Sequence, residues 1–138
     1  MTLTEDSASL VRRMYEEAWN AGRLEVIDEI CALDYVGVGP YGNEIGPESV
    51  KRGVFARQVA FPDIHVTIED IIQAGDKVVA RLTFRGTHQG EFQGIQPTGK
   101  EVTWTGIWIY RVANGQFVER WHNYDMHGLM EQLESTQT

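Results

Sequence analysis

The hydrophobic pattern of the chain changes its period once, near Pro62, and this change separates a helical part from a sheet-forming part. Before Pro62, apolar residues recur every three or four positions, which is typical of helices with one buried face. After Pro62 they alternate with polar residues, which is typical of strands with one buried face. Helices followed by a run of strands predict an α+β fold, in which helices cover one face of an antiparallel sheet.

Three helices are predicted before Pro62. The apolar stripe of the first includes Tyr15 and Trp19, and the helix ends at Gly22, because glycine tolerates the left-handed conformation that closes a helix. The third begins around Pro47, which fits the first helical turn, and its buried face ends at Phe61. The predicted spans are 4–20, 24–32 and 46–61, with a short strand at 34–38 and a loop at 39–43.

Four strands and a last short helix are predicted after Pro62. The strand from Ile64 ends at a turn around Gly75, and Asn114-Gly115 is a strong signal for a two-residue hairpin. The other predicted strands are 78–85, 102–112 and 117–124, with a loop at 89–100 and a final helix at 126–133. Long twisted strands curl, so we expect a cavity between the sheet and its helices.

Alternation along the strands predicts which side chains enter this cavity. The apolar face of the strand from Val78 continues to His88, which is therefore predicted to point inward. In the last strand Phe117 and Trp121 define one face, and a period of two adds Asn123 and Asp125 to it.

The strand at 102–112 has apolar residues on both faces. Trp104, Trp108 and Tyr110 share one face, opposite Ile107 and Ile109, and the pattern leaves open which of the two lines the cavity. Two covered faces would suggest that one of them packs against another subunit.

The candidate chemistry centres on Asp125 and His88, walled by Trp121 and Tyr15. A carboxylate in an apolar pocket has a raised pKa and becomes a usable acid or base near neutral pH. A nearby imidazole or phenol can donate a hydrogen bond to a developing enolate, so neither metal nor organic cofactor is needed. Structural roles compete with this interpretation: Asp125 also suits a helix N-cap, and His88 a hydrogen bond to loop backbone.

Composition narrows the class of protein. With 138 residues, 12 Lys and Arg against 20 Asp and Glu, and a net charge of −8, we expect one domain over 1–138 that binds neither nucleic acid nor an anionic membrane. No signal peptide or membrane-spanning run is recognisable, and a single cysteine suits a cytoplasmic protein. The four histidines lack the spacing of a metal site, and no phosphate-binding loop or nucleophile elbow occurs.

Three segments carry a family resemblance: 86–100 with its Thr-His-x-Gly and Pro-Thr-Gly blocks, the hairpin 110–121, and 121–133 with Trp-x-x-x-Asp. Over nearly its whole length the chain resembles the SnoaL-like polyketide cyclase (ester cyclase) family of the NTF2-like superfamily. The resemblance implies a cone-shaped α+β barrel, three N-terminal helices and a short C-terminal one around a hydrophobic pocket. It also implies that Asp125 is the general acid/base of an intramolecular aldol condensation, with His88 as a pocket histidine and Tyr15 as a pocket-lining residue.

The resemblance thus predicts a cofactor-independent enzyme with a hydrophobic or aromatic small-molecule substrate, acting as a homodimer or higher oligomer. The predicted substrate-binding residues are Tyr15, Trp19, Phe61, Trp104, Trp108, Trp121 and Asn123. Alternatives are a hydratase, dehydratase, isomerase or epoxide hydrolase with the same pocket, and a non-catalytic small-molecule-binding protein. Ketosteroid isomerase chemistry is disfavoured, because Gly39 stands where that enzyme's carboxylate would be.

Overall fold

The computed structural model describes residues 6–39 and 42–135, which form helices followed by a mainly antiparallel sheet. The helices are α1 (Ser7–Arg12), α2 (Val26–Ile30), α3 (Gly46–Ala60) and α4 (Met126–Glu134), and α1 continues as a π-helical segment, Arg13–Asn20, called the π segment below. The strands are β1 (Cys31–Gly39), β2 (Gly42–Ile45), β3 (His65–Ala74), β4 (Lys77–Thr87), β5 (Glu101–Ala113) and β6 (Gln116–Tyr124).

The six strands form one curved sheet in the order β2-β1-β6-β5-β4-β3. The sheet does not close on itself, so the expected barrel is open between its edge strands β2 and β3. All neighbouring pairs are antiparallel except β1 and β6, which run parallel. The predicted α+β class is confirmed, and the expectation of a purely antiparallel sheet was wrong at this pair, because alternation reveals strands but not the direction of distant neighbours.

The predicted elements differ from the observed ones mainly between the second and third helices. Helix α2 ends at Ile30, and Cys31 begins β1 instead of continuing the helix. Part of the predicted loop forms β2, which pairs with β1 from Val36 to Gly39. Residues 40 and 41 of that loop, and residues 4 and 5 of the first predicted helix, lie outside the described residues.

The π segment places two aromatic side chains over the sheet. Its wider turn is visible where the Ala21 amide donates to the Glu16 carbonyl, five residues earlier. Asn20 then bonds the Val66 backbone of β3 in both directions, at 2.7 and 2.9 Å. This clamp holds Tyr15 fully buried against the sheet and Trp19 partly buried beside it.

A bulge in β6 decides which of its side chains face the helices. Arg111 of β5 pairs with Glu119, but Val112 pairs with Phe117, so Val118 is an extra residue. An extra residue shifts the alternation by one position, and the face of Phe117 continues through Arg120 instead of Glu119.

The face predicted for the second half of β6 was therefore wrong. Arg120 and His122 pair with Tyr110 and Trp108 on the helix-covered inner face. Trp121 and Asn123 pair with Ile109 and Ile107 on the outer face.

The core lies between the inner face of the sheet and the α1, π and α3 helices. Trp104, Trp108 and Tyr110 of β5 are buried there, which answers the question that the alternation of β5 left open. Phe84 of β4 packs between the two tryptophans, stacked on Trp104 at 5.3 Å and tilted against Trp108 at 5.2 Å. Ile107 on the opposite face is 48% exposed.

The inward position of Phe117 can be tested by truncation. Phe117 is fully buried and stacks on Tyr110 with ring centroids 4.0 Å apart. We expect Phe117→Ala to lower the free energy of unfolding by about 3–5 kcal/mol in urea titrations, because truncation leaves a cavity in the core. Ile107→Ala on the outer face is the matched control, and a similar loss in both variants would contradict the inward position of Phe117.

Candidate functional site

Five polar side chains converge on the inner face of the sheet, beneath the π segment and α3. They are Tyr15, Tyr35, Tyr110, Arg120 and His122, called the interior cluster below. Arg120 is the central member, because it lies beside Tyr110 of β5 on one side and Gly37 of β1 on the other. Polar groups are uncommon in such an interior, so each needs a partner or a function.

Two of the tyrosines form a buried hydrogen bond. The hydroxyls of Tyr15 and Tyr110 lie 2.5 Å apart, and both residues are almost completely buried. Burial raises the pKa of both phenols well above the usual value, so both stay neutral. Burial also raises the pKa of the neighbouring Cys31 thiol to about 12, which makes it an unreactive core residue.

Arg120 occupies space that only a glycine leaves open. A Cβ on Gly37 would lie 2.7 Å from Nη2 of Arg120 and 2.9 Å from its Cζ. The Nε of Arg120 is buried and has no hydrogen-bond partner among residues 6–39 and 42–135. Within the same residues, no carboxylate lies at ion-pair distance from this guanidinium.

His122 is a neutral imidazole at physiological pH. Its ring stacks on Trp108 with centroids 4.9 Å apart and planes 9° from parallel. Burial, together with the charges of Arg120 and Arg57, lowers the pKa of His122 to about 4. Its Nδ1 is buried without a partner in the described chain, as is the hydroxyl of Tyr35.

His88 lies at the end of the same inner face, fully buried as the alternation of β4 predicts. Its Nδ1 accepts a hydrogen bond from the Thr98 backbone amide at 3.1 Å, so the ring proton is on Nε2. That Nε2 is buried and unpartnered within the described residues, next to the ring of Phe61. The expected bond to loop backbone therefore exists, and it orients a free N–H donor into the interior.

The aromatic residues predicted to bind substrate divide between the two faces of the sheet. Five lie on the inner side of the sheet. Four of these are buried, namely Tyr15, Phe61, Trp104 and Trp108. The fifth, Trp19, is partly buried and packs on Phe84 with ring centroids 5.4 Å apart. Trp121 and Asn123 lie on the outer face instead. Aromatic side chains therefore surround the interior cluster on the helix-covered side of the sheet.

Asp125 does not lie among these side chains. It follows the last residue of β6, is exposed, and accepts a hydrogen bond from the Gly128 amide at 2.8 Å as the N-cap of α4. A Cβ on Gly128 would lie 2.2 Å from Oδ2 of Asp125, so glycine makes room for this cap. The expectation that Asp125 and His88 meet in one dry pocket was wrong, because His88 is on the inner face and Asp125 opens to the outer side.

Asp125 instead borders a groove of about 500 Å³ on the outer face, called the outer groove below. Its walls include Arg81, Ile107, Ile109, Trp121 and Asn123. Glu119 and Arg111 form an ion pair on this same face, at 2.5 Å. Apolar walls beside a carboxylate provide a second surface on which a hydrophobic molecule can lie.

The described residues show no group of three or more His, Cys, Asp and Glu side chains placed to hold a metal ion. Their helices are also too short or too polar for any to cross a bilayer.

Sequence reasoning missed the polar members of β6 and β1. A regular period of two through Val118 puts Arg120 and His122 on the outer face, whereas the bulge puts them on the inner face. Tyr35 was part of a short predicted strand with no assigned partner. Finding Arg120 would have required knowing that it pairs with Tyr110 across the hairpin. No residue type in the hairpin marks the bulge that sets this pairing.

Comparison with known proteins identifies the class. The sequence profile of the SnoaL-like polyketide cyclase family matches residues 9–133, and the chain belongs to this family. It is 30% identical to the aklanonic acid methyl ester cyclase DnrD of Streptomyces peucetius over 83% of each chain.

Solved structures agree with this membership. IdmH of Streptomyces antibioticus, described as a candidate polyketide cyclase, is 32% identical with a TM-score of 0.84, covering 95% of this chain and 100% of that one. AclR of Streptomyces galilaeus, described as a candidate hydroxylase, is 31% identical with a TM-score of 0.82, covering 91% and 93%. The NTF2-like fold expected from the resemblance is confirmed.

The buried tyrosine pair can be tested with a double-mutant cycle. We expect Tyr15→Phe and Tyr110→Phe each to lower the free energy of unfolding by about 1–3 kcal/mol, because each leaves the other hydroxyl unpaired. The double variant should lose less than the sum of the two. Strictly additive losses in urea titrations would show that the two hydroxyls do not interact.

The lowered pKa of His122 predicts a pH-dependent stability. Between the ordinary histidine pKa of 6.5 and the folded pKa of about 4, the unfolded chain binds a proton at His122 that the folded chain does not, so this group makes stability rise with pH. The Tm advantage of the wild type over His122→Gln should therefore shrink as pH falls from about 7 to about 4.5. His65→Gln, at an exposed position on β3, is the control. A difference for His122→Gln that does not change with pH would contradict the burial of the imidazole.

Proposed function

We propose that this protein is a cofactor-independent polyketide cyclase that closes a ring by intramolecular aldol condensation. Family membership and the named cyclases among its relatives support the reaction class. The observation that carries the proposal is the interior cluster, where polar atoms of Tyr35, Arg120 and His122 are buried and unpaired among aromatic side chains. An apolar cavity with a few convergent polar groups is the usual form of a small-molecule site.

The proposed reaction needs a base, an electrophile and stabilised oxyanions. A base removes the acidic proton from a carbon between two carbonyls of the substrate, leaving an enolate. The enolate carbon forms a new C–C bond to a second carbonyl carbon of the same molecule, whose π electrons become an alkoxide. The alkoxide then takes back a proton, so atoms and electrons balance without an oxidant or reductant.

The inner face offers donors for both oxyanions. The guanidinium of Arg120 and the neutral phenol of Tyr35 can donate to the enolate oxygen, and charge-assisted bonds of this type strengthen as negative charge develops. The Nε2–H of His88 is a further donor, oriented by its bond from Thr98. Among buried aromatic rings, such donors act in a low dielectric and stabilise charge more than they would in water.

For the proton transfer we propose Asp125, on the basis of the family resemblance. Asp125 directly follows Tyr124, whose hydroxyl lies 3.5 Å from Nη2 of Arg57 on the inner side. The carboxylate lies at the end of β6 and borders the outer groove. A bound apolar substrate would displace water from it and make the carboxylate a stronger base.

His122 is the second candidate for the proton transfer, favoured by its position. It belongs to the interior cluster, it is neutral at physiological pH, and its Nδ1 is unpaired within the described chain. Its lowered pKa makes it a weak base but keeps it in the proton-accepting form.

The alternative function is small-molecule binding without turnover. The exposure of Asp125 and its bond to Gly128 favour this alternative, because a helix cap alone accounts for the residue.

Substitution of Asp125 separates these possibilities. Asparagine also caps helices, so we expect Asp125→Asn to keep the wild-type Tm and to lose activity by about 10²–10⁴-fold, the usual contribution of general acid/base catalysis. Aklanonic acid methyl ester, the substrate class that DnrD is named for, serves as the first probe. Chromatography with mass spectrometry would detect a cyclised isomer of unchanged mass.

Two further variants serve as controls. Asp125→Ser retains a capping oxygen but has no useful acid, so it should be as inactive as Asp125→Asn. Near wild-type turnover by Asp125→Asn, with loss of turnover in His122→Gln, would move the proton transfer to His122. A wild-type protein that binds the ester and returns it unchanged would favour the binding alternative.

A further inference from the structure

We infer that Arg120, seated against Gly37, is a recognition site for a negatively charged oxygen, so that the protein selects anionic aromatic or polyketide ligands over neutral ones of the same shape. The inference deepens the proposed function by naming the charge of its substrate. It concerns binding, and it can hold or fail independently of turnover.

Positive charge predominates in the interior of the protein. Arg120 and Arg57 both act on this region, since both lower the pKa of His122. Among the described residues no Asp or Glu is buried; the half-buried ones, Glu17 and Glu119, are already paired with arginines. The protein as a whole is acidic, with a net charge of −8. The ionised groups near His122 in the described chain, Arg57 and Arg120, are nevertheless cations.

Among the described residues nothing supplies a counter-charge to Arg120. This side chain is half-buried, and its Nε is buried without an acceptor in the described chain. An anion that accepts hydrogen bonds stabilises such a partly buried guanidinium. Tyr15, Tyr35 and Tyr110 do not supply the anion, because burial raises the pKa of all three phenols. A ligand oxygen with negative charge would supply what the described part of the chain does not.

A glycine lies opposite Arg120. Gly37 has no left-handed backbone angle, so its conformation does not require glycine. A Cβ at this position would meet the guanidinium, so a larger residue would require the Arg120 side chain to move. Gly37 is therefore a positioning residue that allows Arg120 to lie against β1.

Tyr35 provides a second hydrogen-bond donor near Arg120. Tyr35 precedes Gly37 by two residues on the same face of β1, is 1% exposed, and has an unpaired hydroxyl within the described residues. It is close enough for the charge of Arg120 to act on its phenol. A cation and a neutral O–H donor side by side form a site for an oxyanion.

Calorimetric titration with a matched pair of probes tests the inference. We use 2-naphthoate and 2-naphthamide, which share size and shape and differ in charge. We expect the full-length protein to bind naphthoate about tenfold more tightly or better, as charge-assisted hydrogen bonds predict. Arg120→Gln should bring the ratio to about one by weakening naphthoate binding, with naphthamide changed by less than about threefold.

Other variants locate the effect. Arg120→Lys should retain part of the preference, because it keeps the charge but not the planar donor set. Gly37→Ala should reduce the preference with Arg120 still present, by displacing the guanidinium. Arg85→Gln, an equal charge change at an exposed position of β4, is the control and should leave the ratio unchanged. If Arg120→Gln does not fold, the Arg120→Lys and Gly37→Ala variants decide.

Several results would overturn the inference. In the wild type, these are equal affinity for the two probes or no measurable binding of either. Among the variants, a preference that survives Arg120→Gln would also overturn it. A preference that is lost in Arg81→Gln would place the anion in the outer groove. A preference that depends on Arg120 in a protein without cyclase activity would support the inference and count against the proposed function. Cyclase activity without a preference for the anion would do the reverse.

Discussion

The extra residue at Val118 is the constraint on which the rest of the structure depends. A strand has a side-chain period of two, so one inserted residue exchanges the faces of every side chain beyond it. Phe117 keeps its place in the core, while Arg120 and His122 turn inward and Glu119 and Trp121 turn outward. The chemistry of the interior and the position of the outer groove both follow from this local irregularity.

As a consequence, the two faces of the sheet carry different kinds of side chains. The inner face combines buried aromatic side chains with a half-buried cation and buried polar atoms that have no partner in the described chain. The outer face carries the paired charges of Arg111 and Glu119, an apolar groove and the cap formed by Asp125. Asp125 and the interior cluster therefore lie on opposite sides of the sheet.

The local structure was largely predictable because it rests on short-range physics. Pro47 and Pro62 mark the limits of α3, Asn114-Gly115 makes the hairpin, and the alternation from Val78 places His88 inside. The motif Trp-x-x-x-Asp, together with the segments 86–100 and 110–121, carried the resemblance to the family that the sequence profile confirms. None of these inferences requires knowledge of which distant strands are neighbours.

The sequence by itself determined the fold class, the family and the set of residues from which a site can be built. Only the tertiary structure decided which of them share a face: that β1 lies parallel to β6, that Gly37 leaves room for Arg120, and that Asp125 lies on the other side of the sheet from His88. The reason is physical. Helix periods and turns depend on neighbours along the chain, whereas a bulge and a strand partner depend on contacts between segments far apart in sequence, which no local pattern records.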